Sequence, residues 1–326
     1  MSQDLVGGQA LIEGVMVRRG EQWAAACRRA DGTIATTLQR SEPALGRARR
    51  IPLVRGIGAL IDSLRIGMGA MRWSRDNSEP AASGSAASGG ASPGPTLRER
   101  AIVAAVVTGV VAAFLIVPLW VAAMLHSVVG DGIGAVIVEG LVRLALFVGY
   151  LAMLSQLPGI RRTLEYHGAE HMVIAAHEHG VARGIAPARE FSVRHPRCGT
   201  DFFLLIFVIS ILAFALVGSL PAAWLVLSRI LMTPVVVGVA YEILRAGGTS
   251  HHTRLAAVLA APGLMLQRFT TREPADDQIE VALAALDTLV PPAAPVPTSG
   301  DIVAEVSVEE PAGGVDAVRD EVQTPR

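Results

Sequence analysis

The chain contains no lysine, and all 28 of its basic residues are arginine. With 29 acidic residues its formal net charge is −1, which gives no general electrostatic basis for binding nucleic acid. Only two cysteines are present, Cys27 and Cys198, which are too few for a disulfide framework. Aromatic residues make up 5% of a chain that is 51% hydrophobic, so aliphatic residues dominate, as they do in membrane helices.

The N-terminus also lacks the pattern of a secretory signal peptide. Residues 1–20 have no basic start, and Glu13 interrupts their apolar run. We therefore expect the chain to start in the cytoplasm and to enter a membrane through internal segments.

Four long apolar segments predict membrane-spanning helices. They cover residues 101–125, 133–157, 202–220 and 222–244, each close to the roughly 20 residues that cross a bilayer. Fourteen arginines precede the first segment and six occupy residues 158–201, whereas the two short turns carry none. Because positive loops stay in the cytoplasm, this alternation predicts two helical hairpins with both termini and the central segment in the cytoplasm.

The predicted spans contain a few charged residues. Glu139 and Arg143 lie one helical turn apart in the second span, and Arg229 lies in the fourth. Charges inside a span are candidates for function. The alternatives are that Glu139 and Arg143 pair with each other and that Arg229 extends to the membrane surface.

The N-terminal region reads as a small folded unit. Asp31-Gly32 lies between two strand-like runs and predicts a β-hairpin, and residues 9–18 predict a further strand. Residues 57–73 have helical spacing of apolar positions. This helix either lies on a membrane or belongs to the core of the small unit.

The predicted fold class is an α-helical integral membrane protein with about four transmembrane helices in two hairpins and a small cytoplasmic α+β N-terminal region. The predicted units are the N-terminal region (1–75), a flexible linker (76–98), the first hairpin (99–157), a His/Glu/Cys-rich cytoplasmic segment (158–201), the second hairpin (202–244), interfacial and amphipathic helices (245–290) and a disordered acidic tail (291–326).

The chemistry-bearing residues concentrate between the hairpins. His167-Gly-Ala-Glu170-His171 matches the inverted zinc-protease pattern H-x-x-E-H. On a helix the two histidines lie one turn apart on one face. In that pattern both histidines bind a divalent metal such as zinc, and the glutamate acts as the catalytic base. The alternative is a structural cluster of hydrogen-bonded polar groups where the helix packs on the membrane domain.

The third metal ligand has two candidates. Glu242 lies at the inner end of the fourth predicted span, and Glu178 follows His171 on the same helical face. His195 and Cys198 form a second cluster, which either ligates metal, forms a thiolate–imidazolium pair or merely shapes a turn. Glu13 either completes the site from the N-terminal region or is a charge at a strand edge.

Several segments together resemble the bacterial YqhQ family of multi-pass membrane proteins. They are GGQALIEGVMVRRG at 7–20, EYHGAEHMVIAAHEHG at 165–180, HPRCGTDFFLL at 195–205, PVVVGVAYEILR at 234–245 and PGLMLQRFTTREPADDQIEVA at 262–282. The resemblance implies a domain of unknown function that is described as a predicted metal-dependent enzyme. The motif positions carried over are Glu13, His167, Glu170, His171, Glu178, His195, Arg197, Cys198, Glu242, Thr271, Arg272 and Glu273.

Three functions follow as hypotheses, the last of which is transport, for which four spans with few buried charges give little pathway unless an oligomer supplies one. The first is a metal-dependent hydrolase at the cytoplasmic face of the bacterial inner membrane, with Glu170 as base. The second is a non-enzymatic membrane scaffold or accessory factor, in which the polar cluster is structural or binds a partner. The expected partners are the lipid bilayer and either a protein partner or a second copy of the chain, and no nucleic acid is expected.

Overall fold

The N-terminal sheet has four antiparallel strands in sequence order. In the computed structural model these are β1 (Gly7–Leu11), β2 (Gly14–Arg19), β3 (Gln22–Arg28) and β4 (Ile34–Arg40). The β3–β4 hairpin is confirmed. The single strand predicted over residues 9–18 is wrong, because Glu13 takes a φ of 51° and reverses the chain between β1 and β2.

The structure describes residues 6–78, 96–130, 132–196, 198–217, 222–248 and 254–292. Most of the predicted linker, almost all of the predicted acidic tail and the candidate residue Arg197 lie outside these ranges.

Helices make up most of the described chain. They are α1 (Val54–Ser78), α2 (Leu97–Met124), α3 (His126–Val129), α4 (Ile133–Leu154), α5 (Pro158–Glu178), α6 (Ile185–Arg189), α7 (Thr200–Val217), α8 (Ala222–Gly248), α9 (Arg254–Thr270) and α10 (Asp276–Leu289). A short 3-10 turn, Gly46–Arg50, precedes α1.

Helices cover both faces of the sheet, because successive strand residues point to opposite sides. On one face Val15 and Val17 pack with residues of α5 and α10, including Tyr166 and Ile279. On the other face Met16 and its neighbours pack against Ile66 and Ala70 of α1. The helix predicted over residues 57–73 therefore belongs to a core, while its opposite side leaves apolar side chains such as Leu64 and Met68 exposed.

Among the described residues, three helical segments are long and apolar enough to cross a membrane: Arg100–Met124, Ile133–Leu154 and Leu227–Arg245. The segment predicted as a further span, residues 202–220, corresponds to α7, whose apolar part Phe202–Val217 is shorter. The 18 residues of α7 extend about 27 Å, slightly less than the roughly 30 Å hydrocarbon core. The count of four spans stays a prediction.

Three charged residues of the apolar helices, Glu139, Arg143 and Arg229, form a cluster. Arg143 donates to Glu139 at 2.8 Å, and Arg229 donates to the other carboxylate oxygen at 3.3 Å. The Arg229 guanidinium also lies 3.8 Å from the centre of the Phe214 ring. Arg229 thus points into the helix bundle toward α4, which is the opposite of the surface-directed alternative.

Helix α5 connects the sheet to the apolar helices. It begins with Pro158, whose fixed φ suits the first helical turn. It ends at Glu178, and two residues later Gly180 takes a φ of 68°. There Gly180 N–H donates to His177 O and Val181 N–H donates to Ala176 O. These two bonds are the Schellman motif that closes helix C-termini. The helix is thereby fixed at both ends.

Candidate metal centre

Three residues of the H-x-x-E-H motif lie in the middle of α5. The side chains of His167, Glu170 and His171 are 16%, 5% and 3% exposed. The two imidazole rings lie 4.4 Å apart between centroids, as expected for positions one helical turn apart. The predicted helical pairing of the two histidines is therefore present in a nearly buried setting.

Backbone carbonyls orient both imidazoles. Nδ1 of His167 lies 2.7 Å from the carbonyl oxygen of Thr270, and Nδ1 of His171 lies 2.7 Å from that of Val193. A carbonyl only accepts hydrogen bonds, so each Nδ1 carries the proton and each Nε2 keeps its lone pair. Metal-binding histidines are commonly fixed in this way by a partner on the other nitrogen.

The thiol of Cys198 lies beside the two imidazoles. Its Sγ lies 3.4 Å from Nε2 of His167, and the ligand atoms of His167, His171 and Cys198 all lie within 4.8 Å of one another. Zinc bonds to nitrogen and sulfur are about 2.0–2.3 Å, so ligand atoms around a tetrahedral ion are separated by about 3–4 Å. The donor types suit such an ion, and the three residues form a group that could hold a metal.

The carboxylate of Glu170 borders this cluster. Its Oε2 is 3.9 Å from Nε2 of His167 and 3.8 Å from Nε2 of His171. Burial raises the pKa of Glu170 to about 8, partly offset by His167, and burial lowers the pKa of His171 to about 3. Gly8 of β1 leaves room for the Glu170 carboxylate beside the strand, because a Cβ at this position would lie 2.8 Å from Oε1 of Glu170.

Glu178 and His195 form a neighbouring pair. Their side chains are joined at 3.2 Å, and the His195 ring lies 5.7 Å from that of His171. The buried amide of Gln267 holds the His195 backbone, accepting from its N–H and donating to its carbonyl, each at 2.9 Å. His195 therefore stands next to the cluster, and the ligand role predicted for Glu178 stays a prediction.

Glu242 interacts with a different element. Its carboxylate forms an ion pair with Arg55 of α1 and accepts the Leu53 N–H at 3.2 Å. It is not among the residues whose ligand atoms come within 4.8 Å of one another. The structure offers Cys198 as a third donor instead, and the ligand role of Glu242 also stays a prediction.

The other candidates surround α5. Glu13 accepts hydrogen bonds from Arg162 and, at 3.2 Å, from the Tyr166 hydroxyl, so it ties the β1–β2 turn to the start of α5. Thr271 donates to Gln267 O at 2.8 Å, and Arg272 donates to Ser155 O at 3.0 Å. Glu273 follows them and lines a shallow basic depression with Arg268.

Sequence reasoning missed the supporting groups. Gln267 is completely buried, but a glutamine in an apolar helix carries no signal for which backbone it will bind. The carbonyls of Thr270 and Val193 act through atoms that every residue has, so no pattern identifies them. The best sequence signal was Gly168, a glycine inside a helix, which indicates that another part of the chain approaches closely. In the structure a Cβ at this position would lie 2.0 Å from the carbonyl oxygen of Arg272.

The described residues thus form a mostly helical, membrane-associated protein with a small antiparallel sheet and a buried His/His/Cys cluster beside a carboxylate. The chain belongs to the family described as "Protein of unknown function (DUF1385)", which residues 51–291 match. It is similar to "Uncharacterized protein YqhQ" of Bacillus subtilis (strain 168), with 30% identity over 293 residues, 87% of this chain and 92% of the relative. No solved structure matches the chain.

Proposed function

We propose that this protein is a metal-dependent hydrolase whose ion, such as zinc, is held by His167, His171 and Cys198. The observation that carries the proposal is the convergence of two carbonyl-oriented imidazoles and one thiol, whose ligand atoms all lie within 4.8 Å of one another. A bound ion of this kind supplies Lewis-acid polarisation of a carbonyl or phosphoryl oxygen. The remaining chemistry falls to side chains of the chain itself.

Glu170 is the proposed base, because its carboxylate stands less than 4 Å from both ligand nitrogens. It takes a proton from the attacking water and returns it to the leaving group, so hydrolysis needs no further reagent. His167 and His171 keep their Nε2 lone pairs directed at the centre, since the Thr270 and Val193 carbonyls hold the opposite nitrogens. Burial of the cluster limits access of bulk water.

We also propose that the site lies at the cytoplasmic face of the bacterial inner membrane, with four spans and both termini inside. The arginine distribution supports this orientation, since the segment between the hairpins carries six arginines and the two short turns carry none. The membrane-length helices support lipid contact.

Glu170→Gln tests the hydrolase. Purified protein is loaded with zinc, its metal content is measured by mass spectrometry, and its activity is followed on p-nitrophenyl acetate. We expect the variant to keep its zinc and to lose about 10²–10⁴-fold in rate, the usual contribution of a general base. Glu165→Gln, on the same helix outside the cluster, is the matched control and should keep both properties. A folded wild type that takes up no metal would contradict the proposal.

The second candidate is a non-enzymatic scaffold. It is favoured by the polar links that join separate parts at this junction: Glu242 with Arg55, and Glu13 with Arg162. In that case a protein partner or a second copy would bind, and the Glu170→Gln variant would behave as wild type in every catalytic assay. The change in rate caused by Glu170→Gln therefore separates the two candidates.

A further inference from the structure

A cavity of about 780 Å³ adjoins the candidate metal centre. Its inner end is formed by His167, Glu170, His171, His195 and Cys198. Its size lies within the roughly 300–1,000 Å³ of sites that enclose small ligands. A molecule in this cavity lies next to the reacting groups, and the cavity walls restrict what that molecule can be.

The cavity walls away from the cluster are mainly apolar. Strands β1 and β2 and helix α5 contribute part of the lining, including the polar residues Gln9, Arg18 and Thr163. The rest of the wall comes from three elements that the chain brings together there: α1, the N-terminal end of α7 and the C-terminal end of α8. The apolar and aromatic wall residues on these elements are Ala59, Leu60, Leu64, Ile66, Phe202, Phe203, Tyr241 and Leu244. Such a lining favours a hydrocarbon chain, because burial of apolar surface is the main source of affinity there, and it provides few partners for a sugar or a nucleotide.

The wall is continuous with the apolar surface of the helix bundle. Leu64, Phe203 and Leu244 line the cavity and are 55%, 51% and 38% exposed, so they stand at its opening. Leu244 belongs to the membrane-length segment Leu227–Arg245, and Phe203 belongs to the apolar part of α7. Beyond Leu64, the exposed Met68 extends the apolar side of α1. Exposed apolar surface of this extent marks a ligand or membrane contact.

We propose that the cavity takes a membrane amphiphile, with its acyl chain between α1 and the adjoining ends of α7 and α8 and its ester or amide group at the metal centre. This inference rests on the proposed hydrolase for its chemistry. The oxygen of water bonds to the acyl carbon, the bond from that carbon to oxygen or nitrogen breaks, and Glu170 moves the proton from water to the leaving group. No oxidation or reduction takes place.

Photolabelling tests the occupant directly. The full chain is placed in dioleoyl-phosphatidylcholine nanodiscs with a palmitic acid that carries a diazirine in mid-chain, and labelled residues are mapped by mass spectrometry. We expect labels on Leu60, Leu64 or Phe203. Ala59→Phe narrows the cavity and should lower this labelling about tenfold, since each excluded methylene weakens binding about fourfold. Met68→Phe, on the same helix but outside the cavity, should leave this labelling unchanged.

A second variant guards against misfolding. Leu64→Gln changes a half-exposed residue at the opening, so it leaves the core intact while it makes the entrance polar. We expect it to lower cavity labelling in the same direction as Ala59→Phe. Labels confined to the exposed sides of α2 and α4, with no difference among the variants, would overturn the proposal.

An ester series separates this inference from the hydrolase itself. Zinc-loaded protein is assayed on p-nitrophenyl acetate and p-nitrophenyl dodecanoate. A lipid-accepting site cleaves the dodecanoate with the higher kcat/KM, and Ala59→Phe lowers the ratio of the dodecanoate kcat/KM to the acetate kcat/KM. If the protein cleaves the acetate but shows no cavity labelling, the amphiphile proposal is contradicted and the hydrolase proposal is not. If the cavity is labelled but the protein cleaves neither ester, the amphiphile site is supported and the hydrolase proposal is contradicted.

Discussion

Cys198 differs from Cys27 in what surrounds it. Both thiols are buried, but Cys198 lies 3.4 Å from a histidine nitrogen, whereas Cys27 lies in β3, in the interior of the sheet region, with its pKa raised chiefly by burial. A thiol needs a charge-stabilising partner to act as a ligand or nucleophile. The two cysteines of the chain thus offer a test residue and a matched control.

Zinc titrations of Cys198→Ser distinguish the possible third ligands. We expect its zinc affinity to fall by more than the roughly 10–100-fold that loss of an outer-shell partner costs. Cys27→Ala should bind zinc as wild type does, because Cys27 is outside the cluster. Glu242→Gln should also bind normally, since the Glu242 carboxylate is paired with Arg55. Loss of zinc in Glu242→Gln but not in Cys198→Ser would instead establish the carboxylate as the third ligand.

Gly168 is the residue whose size fixes the position of the His167 partner. A methyl group there would lie 2.0 Å from the Arg272 carbonyl, and Arg272 N–H bonds to Leu164 O at 3.0 Å. Gly168→Ala should therefore push the segment 270–272 away from α5. We expect a loss of about 1–3 kcal/mol in stability, as for other overpacked sites, together with weaker zinc binding.

Gly159→Ala is the matched control for this substitution, measured by the same unfolding and zinc titrations. Gly159 is on the same helix, and a Cβ there has no neighbour within 4 Å among the described residues. Its stability should stay within about 0.5 kcal/mol of wild type. Equal effects of the two alanines would contradict the steric argument.

At the scale of elements, the ion cluster joins α4 to α8 inside the apolar bundle. Glu139 is 6% exposed and faces two guanidinium groups, Arg143 and Arg229. Two nitrogens of Arg229, Nε and Nη1, have no hydrogen-bond partner among the described residues. The positive charge of this arginine is therefore balanced by the carboxylate of Glu139. The cluster is a structural connection between α4 and α8.

Glu139→Leu removes the shared carboxylate and leaves two cations in an apolar setting. We expect a loss of about 3–5 kcal/mol, as for other buried pairs deprived of one partner. Thermal unfolding of detergent-purified protein measures it. Ile137→Leu, at an exposed position of the same helix, should leave the unfolding temperature nearly unchanged. An unchanged midpoint in Glu139→Leu would mean that the cluster does not hold the helices together.

At the scale of the whole molecule, the open question is how many times the chain crosses the membrane. Alkaline phosphatase, which is active only outside the cytoplasm, is inserted into the predicted turns at residues 126–132 and 219–222, and green fluorescent protein is fused to the C-terminus. The four-span arrangement predicts active phosphatase at both turns and a fluorescent C-terminal fusion. An inactive phosphatase at 219–222 would show that α7 does not span.

Four features could be predicted from the sequence: the order of the apolar helices, the β3–β4 hairpin, α5 with its histidine pair, and the family. Each depends on local patterns: apolar runs, an Asp-Gly turn, a four-residue spacing and contiguous motifs. The β1–β2 turn could not, because Glu13 adopts a positive φ that a non-glycine residue rarely takes. The partner of Arg229 could not be predicted either, because its position in an apolar segment does not reveal that it binds Glu139, 90 residues away.

The sequence by itself determined the chemical inventory of the His/Glu/Cys-rich segment and its place between apolar segments, because composition and periodicity are read locally. Only the tertiary structure decided which donors meet. Two acids were the predicted third ligands, yet long-range packing pairs Glu242 with Arg55 and Glu178 with His195, and it brings Cys198 to His167. The physical reason is that distances between residues far apart in the chain are set by how α1, α5 and α8 pack, which no local pattern encodes.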